Sequence, residues 1–356
     1  MAYTTIDDPT KFFSANLWTG NGASTSITTG HATDWLWIKN RNDTQRHNIL
    51  DSIRGVTKRL SSNTTDVEAT ESNMLSSFDS NGFTLGTDSS SYGTNTSSKT
   101  YVGWSWKAGG SASSNSDGSI TSTVSANTTA GFSICTYTGN SGNPSNFGHG
   151  LGVAPSMVII KNRDYSGDPT GWVVYHKSIG ANYSFNLNTT NGRNSNTTSF
   201  GNTTPSSSVV YVGDDGGNWG TNLNTYNYVA YCFAEKKGYS KIGTFTGNQS
   251  TDGTFVYLGF RPAWVMFKEA VGTSPDNWFI YDNKRSTFNP LEKTLRANTN
   301  GAETDLSATA IDMLSNGFKL RTADTGLNES GGTYIFMAFA EAPFVTAGTK
   351  AAGTAR

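Results

Sequence analysis

The chain has 356 residues, room for two or three domains of roughly 100–200 residues each. Hydrophobic residues make up 35% and charged residues 15%, with 39 glycines, yet 9 Trp, 15 Tyr and 19 Phe argue against disorder, which goes with few aromatics and high net charge. A formal charge of −1 argues against nucleic acid as a partner, and two cysteines, Cys135 and Cys232, are too few for a disulfide framework or a zinc site. No apolar run approaches the ~18 residues of a membrane span. Met1 to Asp8 lacks the basic start and apolar core of a signal peptide, so the chain is expected to be soluble and made in a cytoplasm.

In chain order, three similar blocks follow one another. Each opens on an aromatic residue followed by Thr-Gly-Asn: Trp18 to Asn21, Tyr137 to Asn140 and Phe245 to Asn248. An apolar run ending in lysine comes next, as Trp35 to Lys39, Met157 to Lys161 and Trp264 to Lys268. A third element follows, Asn48 to Asp51, Trp172 to His176 and Trp278 to Asp282, and then an apolar residue near an Asn-Thr pair: Leu60 with Asn63, Phe185 with Asn188, Leu295 with Asn298. Blocks one and three share Asn-Gly-Phe (Asn81 to Phe83, Asn316 to Phe318), a hairpin signal that Val209 to Gly213 replaces in block two. All three close on an apolar strand that starts with tyrosine: Tyr101 to Trp106, Tyr228 to Phe233 and Tyr334 to Phe339.

Short strands separated by Gly, Asn, Ser and Pro predict an all-β protein of three tandem antiparallel β-sandwich or jelly-roll-like domains. Their spans are 17–108, 131–237 and 238–345. Residues 1–16 form an N-terminal attachment segment, 109–130 a linker or an arm lying against a neighbour, and 346–356 a flexible tail. Two stretches, Asp66 to Phe78 and Asp305 to Leu314, are candidates for short helices. The opening and closing strands of each block are expected to pair, which would bring Cys135 and Cys232 close; the alternative is two unlinked thiols buried as small hydrophobes. Glu235 to Gly238 leaves almost no spacer, so blocks two and three are expected to form a rigid pair with block one held loosely.

Tyr101 to Gly110, Gly118 to Phe132 and Gly148 to Pro155 resemble a repeated β domain of tail-fibre and other structural proteins of marine tailed bacteriophages. Met1 to Pro9 is similar to the start of such proteins. The resemblance spans nearly the whole chain and implies a virion component with no established activity. Block one departs most, lacking the Gly-His-Gly and Pro elements.

Chemistry-bearing motifs are sparse. His31, His47, His149 and His176 share no metal-type spacing or nucleophile motif. Glu235 and Glu341 follow equivalent strands without forming a recognisable acid pair. Asp214 and Asp215, on a Gly-rich turn, are a weak calcium candidate set beside a plain solvated loop. No cofactor and no enzymatic activity are expected. The tryptophans on repeated strands, Trp35, Trp37, Trp172, Trp264 and Trp278, read as core. Aromatics in polar loops, Tyr165, Tyr183, Trp219, Tyr226 and also Tyr92, suit contact with a glycan or another protein.

The expected function is that of a tail fibre or receptor-binding appendage touching host surface glycan or protein; the alternative is a capsid or tail decoration protein. Docking to other virion proteins would use the N-terminal segment, through Tyr3, Ile6, Phe12 and Phe13, and the 109–130 arm. Self-association, a trimer by preference, would have to run through sheet edges and loops, because no heptad stretch is present. Neither nucleic acid nor membrane is an expected partner, and the place of action is the virion.

Overall fold

A computed structural model of the protein describes residues 4–87, 93–165, 171–214 and 220–345. Its first and last strands pair within each repeat: Phe13–Thr19 with Thr100–Trp106, Phe132–Thr138 with Asn227–Phe233, and Ser240–Thr246 with Thr333–Pro343. On the other side of the closing strand lies the strand that carries the lysine, Trp35–Asn40, Met157–Asn162 or Phe260–Val271. The third element, Asn48–Asp51, Trp172–His176 or Phe279–Asp282, pairs next to it. A smaller antiparallel sheet covers one face of each large sheet, and the fold is all-β throughout.

The repeated motif is explained by one joint made three times. The aromatic of the Thr-Gly-Asn motif stacks on the tyrosine that starts the closing strand: Trp18 on Tyr101, Tyr137 on Tyr228 and Phe245 on Tyr334, with centroids 4.9–5.5 Å apart. The motif asparagine accepts a side-chain hydrogen bond from a second asparagine upstream of that tyrosine, Asn95, Asn222 or Asn328, at 2.9–3.2 Å. Glycine is needed because a Cβ at Gly20, Gly139 or Gly247 would sit 2.1–2.3 Å from a carbonyl oxygen of the crossing chain. Finally the tyrosine hydroxyl accepts a backbone N–H from Thr96, Leu223 or Glu329.

The two helix candidates are strands. Leu75–Asp79 and Ile311–Leu314 form hairpins with Gly82–Leu85 and Gly317–Leu320, and Ser307–Thr309 adds a single 3-10 turn. Hairpin pairing overrides weak helical preference here. Gly82 and Gly317 begin the returning strands. A Cβ there would lie 2.0 and 2.1 Å from the carbonyls of Ile27 and Val256 on the third strand of the small sheet.

Each sandwich has its own core, but the largest cluster belongs to none of them alone. The outer faces of the three large sheets meet, and Trp35, Trp37, Trp104 and Trp106 pack with Phe132, Tyr231 and Phe233 and with Trp264, Met337 and Phe339. Aromatic pairs cross every joint: Trp35 with Tyr231 (4.6 Å), Trp106 with Trp264 (5.6 Å) and Phe233 with Phe339 (6.1 Å). Each such ring buried contributes on the order of 1.5–3 kcal/mol by area alone. Repeat one therefore is not loosely held; it supplies four of the buried tryptophans that bind the three repeats together.

Residues 109–130 do not hang free. Ser122–Asn127 pairs with Phe132–Thr138, Ser113–Asn115 pairs with it in turn, and the segment widens the large sheet of repeat two. Cys135 and Cys232 lie on adjacent strands as diagonal neighbours, two register positions apart, as buried free thiols.

Candidate functional site

The buried polar residues of the repeated motifs form joints between repeats, arranged in a ring of one to two, two to three and three to one. Trp172 Nε1 donates to the Ser61 carbonyl, Trp278 Nε1 to the Asn186 carbonyl, and His47 Nε2 bonds the Arg296 carbonyl, at 2.8–3.0 Å. The asparagine of each Asn-Thr pair, Asn63, Asn188 or Asn298, accepts the backbone N–H of His47, Trp172 or Trp278 and sets up that donor. A backbone tie completes each joint: Glu68 N to Arg163 O, Arg193 N to Ala270 O and Glu303 N to Arg41 O.

Two of these joints hold paired buried charges. Arg54 bonds Asp51 (2.5 Å) and Glu68 (3.0 Å), Arg163 grips Glu68 with two bonds of 2.9 Å, and Tyr231 donates its hydroxyl to Asp51 at 2.7 Å. Arg285 repeats this with Asp282 (2.5 Å) and Glu303 (3.2 Å), joined by Arg41 and by Trp104 Nε1, 2.9 Å from Asp282. Burial raises the Asp282 carboxyl, but Arg285 beside it outweighs burial and holds it below the usual range. The motif lysines are buried as well. Lys161 Nζ donates to the Thr65 carbonyl and Lys268 Nζ to the Thr190 carbonyl; burial pulls Lys39 and Lys268 down to about 7 and Lys161 to about 8. Such lysines can look catalytic, but each one faces carbonyls.

The histidines are equally structural. His31 ties the Thr10 carbonyl (2.9 Å) and Ser105, and His149 shapes its own turn by accepting from the Leu151 amide at 3.2 Å. Glu235 pairs with Lys177, and Glu341 with Arg261. A carboxyl pair does occur in repeat three, where Glu269 lies against Glu329. Burial first, and Glu329 second, push Glu269 up to about 8, while Glu329 accepts from Thr273 N at 2.8 Å. Glu269 is fully buried beneath this loop. Among the described residues no group of acidic, His or Cys side chains is placed to hold a metal ion.

The loop aromatics divide. Tyr165 and Tyr226 come together edge to face, 5.5 Å apart, at the Thr-Gly-Asn end of repeat two, and Tyr165 is 41% exposed. Asp164 accepts from the backbone and side chain of Asn227 at 2.7 and 2.8 Å and stiffens this corner. Asp214 is at the same end, accepting from Ser141 at 2.9 Å. Tyr183 is not a loop residue: it starts the strand Tyr183–Asn186, with the Arg193 guanidinium 4.2 Å above its ring. Tyr3, Tyr92, Asp215 and Trp219 lie outside the described residues. Of the attachment segment, Ile6 and Phe13 are buried in the shared core and Phe12 packs on Tyr239, because the opening strand places them against Phe339 and Trp106. Their apolar surface is spent inside the chain and offers nothing to a second protein.

What the motif reading missed is the shared core. The signal was present: Trp35 to Ile38, Met157 to Ile160 and Trp264 to Phe267 do not alternate with polar residues, and every side chain in them is buried. A sheet wetted on one face alternates; a sheet covered on both does not.

The fold and its joints define a three-lobed, all-β protein made from one internal repeat, with the lobes closed around a common aromatic core. A family model described as a domain of unknown function (DUF7483) matches residues 8–343, and the chain belongs to that family. The matched span takes in all three repeats. No curated protein and no solved structure matches the chain.

Proposed function

We propose that the chain is a non-enzymatic bacteriophage virion protein, a tail-fibre or receptor-binding appendage that meets the host surface through its loops. The observation that carries this reading is the Tyr165–Tyr226 corner: two tyrosines braced by Asp164 and Asn227 on a scaffold whose buried charges are committed to internal joints. Flat apolar faces beside amide and carboxylate groups suit a sugar or a polar protein surface. The resemblance of Tyr101 to Gly110, Gly118 to Phe132 and Gly148 to Pro155 to phage structural repeats supports the virion setting. Assembly with other virion proteins, or of the chain as a trimer, runs through sheet edges and loops, since the apolar faces of the large sheets are consumed within one chain.

Gold-labelled antibody against the chain, viewed on intact virions by electron microscopy, tests this. Label at the tail or its tip is the expected result. Label spread over the capsid would overturn the appendage and leave a decoration protein; unlabelled virions would overturn both.

A further inference from the structure

The open side of a sandwich, where the edge of the large sheet faces the edge of the small one, is closed differently in each repeat. Repeat two closes it with main chain. Ser122–Asn127 adds to the edge strand Phe132–Thr138, the Ile120 amide donates to the Asn146 carbonyl at 2.9 Å, and Ile120 and Val124 enter the sandwich core. Repeat one closes it with a side chain, Asn16 Nδ2 reaching the Thr28 carbonyl at 2.9 Å.

Repeat three has neither device. Gly243 stands where repeat one has Asn16, and a groove of about 600 Å³ runs between the two edges, lined by Gly243, Thr244, Phe255, Tyr257 and Phe336 among others. Phe255 and Tyr257 are 44% and 51% exposed. Charged side chains stand in at both edges. Glu235 accepts the Ile242 amide at 2.8 Å, and Lys241 Nζ donates to the Tyr257 carbonyl at 2.6 Å. The edge strands of repeats two and three carry the same pattern, Ile-x-Thr-aromatic-Thr, in Ile134 to Thr138 and Ile242 to Thr246. One of these two like edges holds an added strand.

We propose that the groove of repeat three receives an extended segment of another polypeptide, added to Ser240–Thr246 as a strand in the manner of Ser122–Asn127 on repeat two. An exposed edge is a template for such addition, with main-chain bonds giving affinity and alternate side chains giving selectivity. The segment resembles the internal one: Ser or Thr alternating with single β-branched apolar residues that enter between the sheets. Lys177, Lys237 and Lys241 outnumber Glu235 at the rim and favour an acidic flank. Binding displaces Glu235 and Lys241 from the edge groups they hold. The inference stands whether or not the chain is a virion component.

A synthetic peptide of residues 112–127 is the probe, added to the full chain while amide hydrogen exchange is followed. Alternation from Ile242 puts the Thr244 amide on the outward side of the edge. Its exchange is expected to slow about tenfold or more with peptide. Thr244→Pro removes only that outward donor, a substitution edge strands tolerate, and is expected to abolish peptide binding by fluorescence anisotropy with the unfolding midpoint kept. Unchanged exchange at Thr244, or a Thr244→Pro chain that binds peptide as well as the parent, would overturn the proposal. A sugar that binds across Phe255 and Tyr257 while the peptide does not also counts against it.

Discussion

The joint between repeats two and three differs from the other two in a way that shows what the ring requires. All three joints share the ring-nitrogen bond to a carbonyl and the backbone tie. Among the described residues, only the joints of repeat one carry buried ion networks. Where those have Asp51 and Arg54, or Asp282 and Arg285, the joint of two with three has His176 and Ile179. Its other positions change in concert: Arg193 replaces Glu68 or Glu303, Ala270 replaces Arg163 or Arg41, and Met337 stands where Tyr231 or Trp104 offers a donor. A carboxylate, its cation and the donor facing it come or go together, because any one left alone in the core would be an uncompensated polar group. The chain link fits this division. Repeats two and three are joined within Ala234–Tyr239, whereas repeats three and one have no short link and close the ring through their side chains and the tie of Glu303 N to Arg41 O.

The largest effect is expected from Asp282→Ala, which takes from buried Arg285 the nearer of its two carboxylates and leaves only Glu303, at a cost of about 3–5 kcal/mol in denaturant unfolding, with Asp51→Ala close to it. A loss under about 1 kcal/mol would show that the networks are not what closes the ring. His176→Asp alone brings an unpaired carboxylate into the plain joint and is expected to cost about 3 kcal/mol. Adding Ile179→Arg and Arg193→Glu rebuilds the network and should recover most of it; additive losses in the triple variant would deny that the joints are interchangeable.

Acid sharpens the contrast in a different way. Burial pushes His31 and His176 down to about 4, whereas the unfolded chain takes up these protons near 6.5. The unfolded state therefore binds more protons between pH 6.5 and 4, and stability falls as pH falls through that window, by about 2–3 kcal/mol for each histidine. His176→Gln should remove its share of the slope, measured as the unfolding midpoint against pH. Trp172→Phe and Trp278→Phe each delete one bond common to all joints and are expected to cost about 1–3 kcal/mol, alike in both places. Smallest of all, Tyr165→Ala should leave stability within about 0.5 kcal/mol while weakening adsorption to host cells.

Much of the site was hidden from a linear reading for a physical reason. The tyrosines Tyr165 and Tyr226 were identifiable as loop aromatics, but their contact depends on how the Thr-Gly-Asn loop folds back through Asn140 and Asn222. Ile6 and Phe13 looked like anchors because an apolar residue near a terminus says nothing of which surface will cover it. The edge groove of repeat three was out of reach, since Gly243 is informative only beside Asn16 and the strand at Ser122–Asn127.

What the amino-acid order determined by itself is the repeat, the all-β class and the pairing of opening with closing strands. These rest on local rules: turn residues at fixed places, aromatic strands, and a glycine wherever another backbone passes close. Only the tertiary structure decided that three sandwiches share one core, that repeat one is bound through charges, and that one sandwich side stays open. Those outcomes depend on contacts between residues far apart in the chain, such as Arg41 with Glu303, and a pattern read along one strand holds no record of its partner.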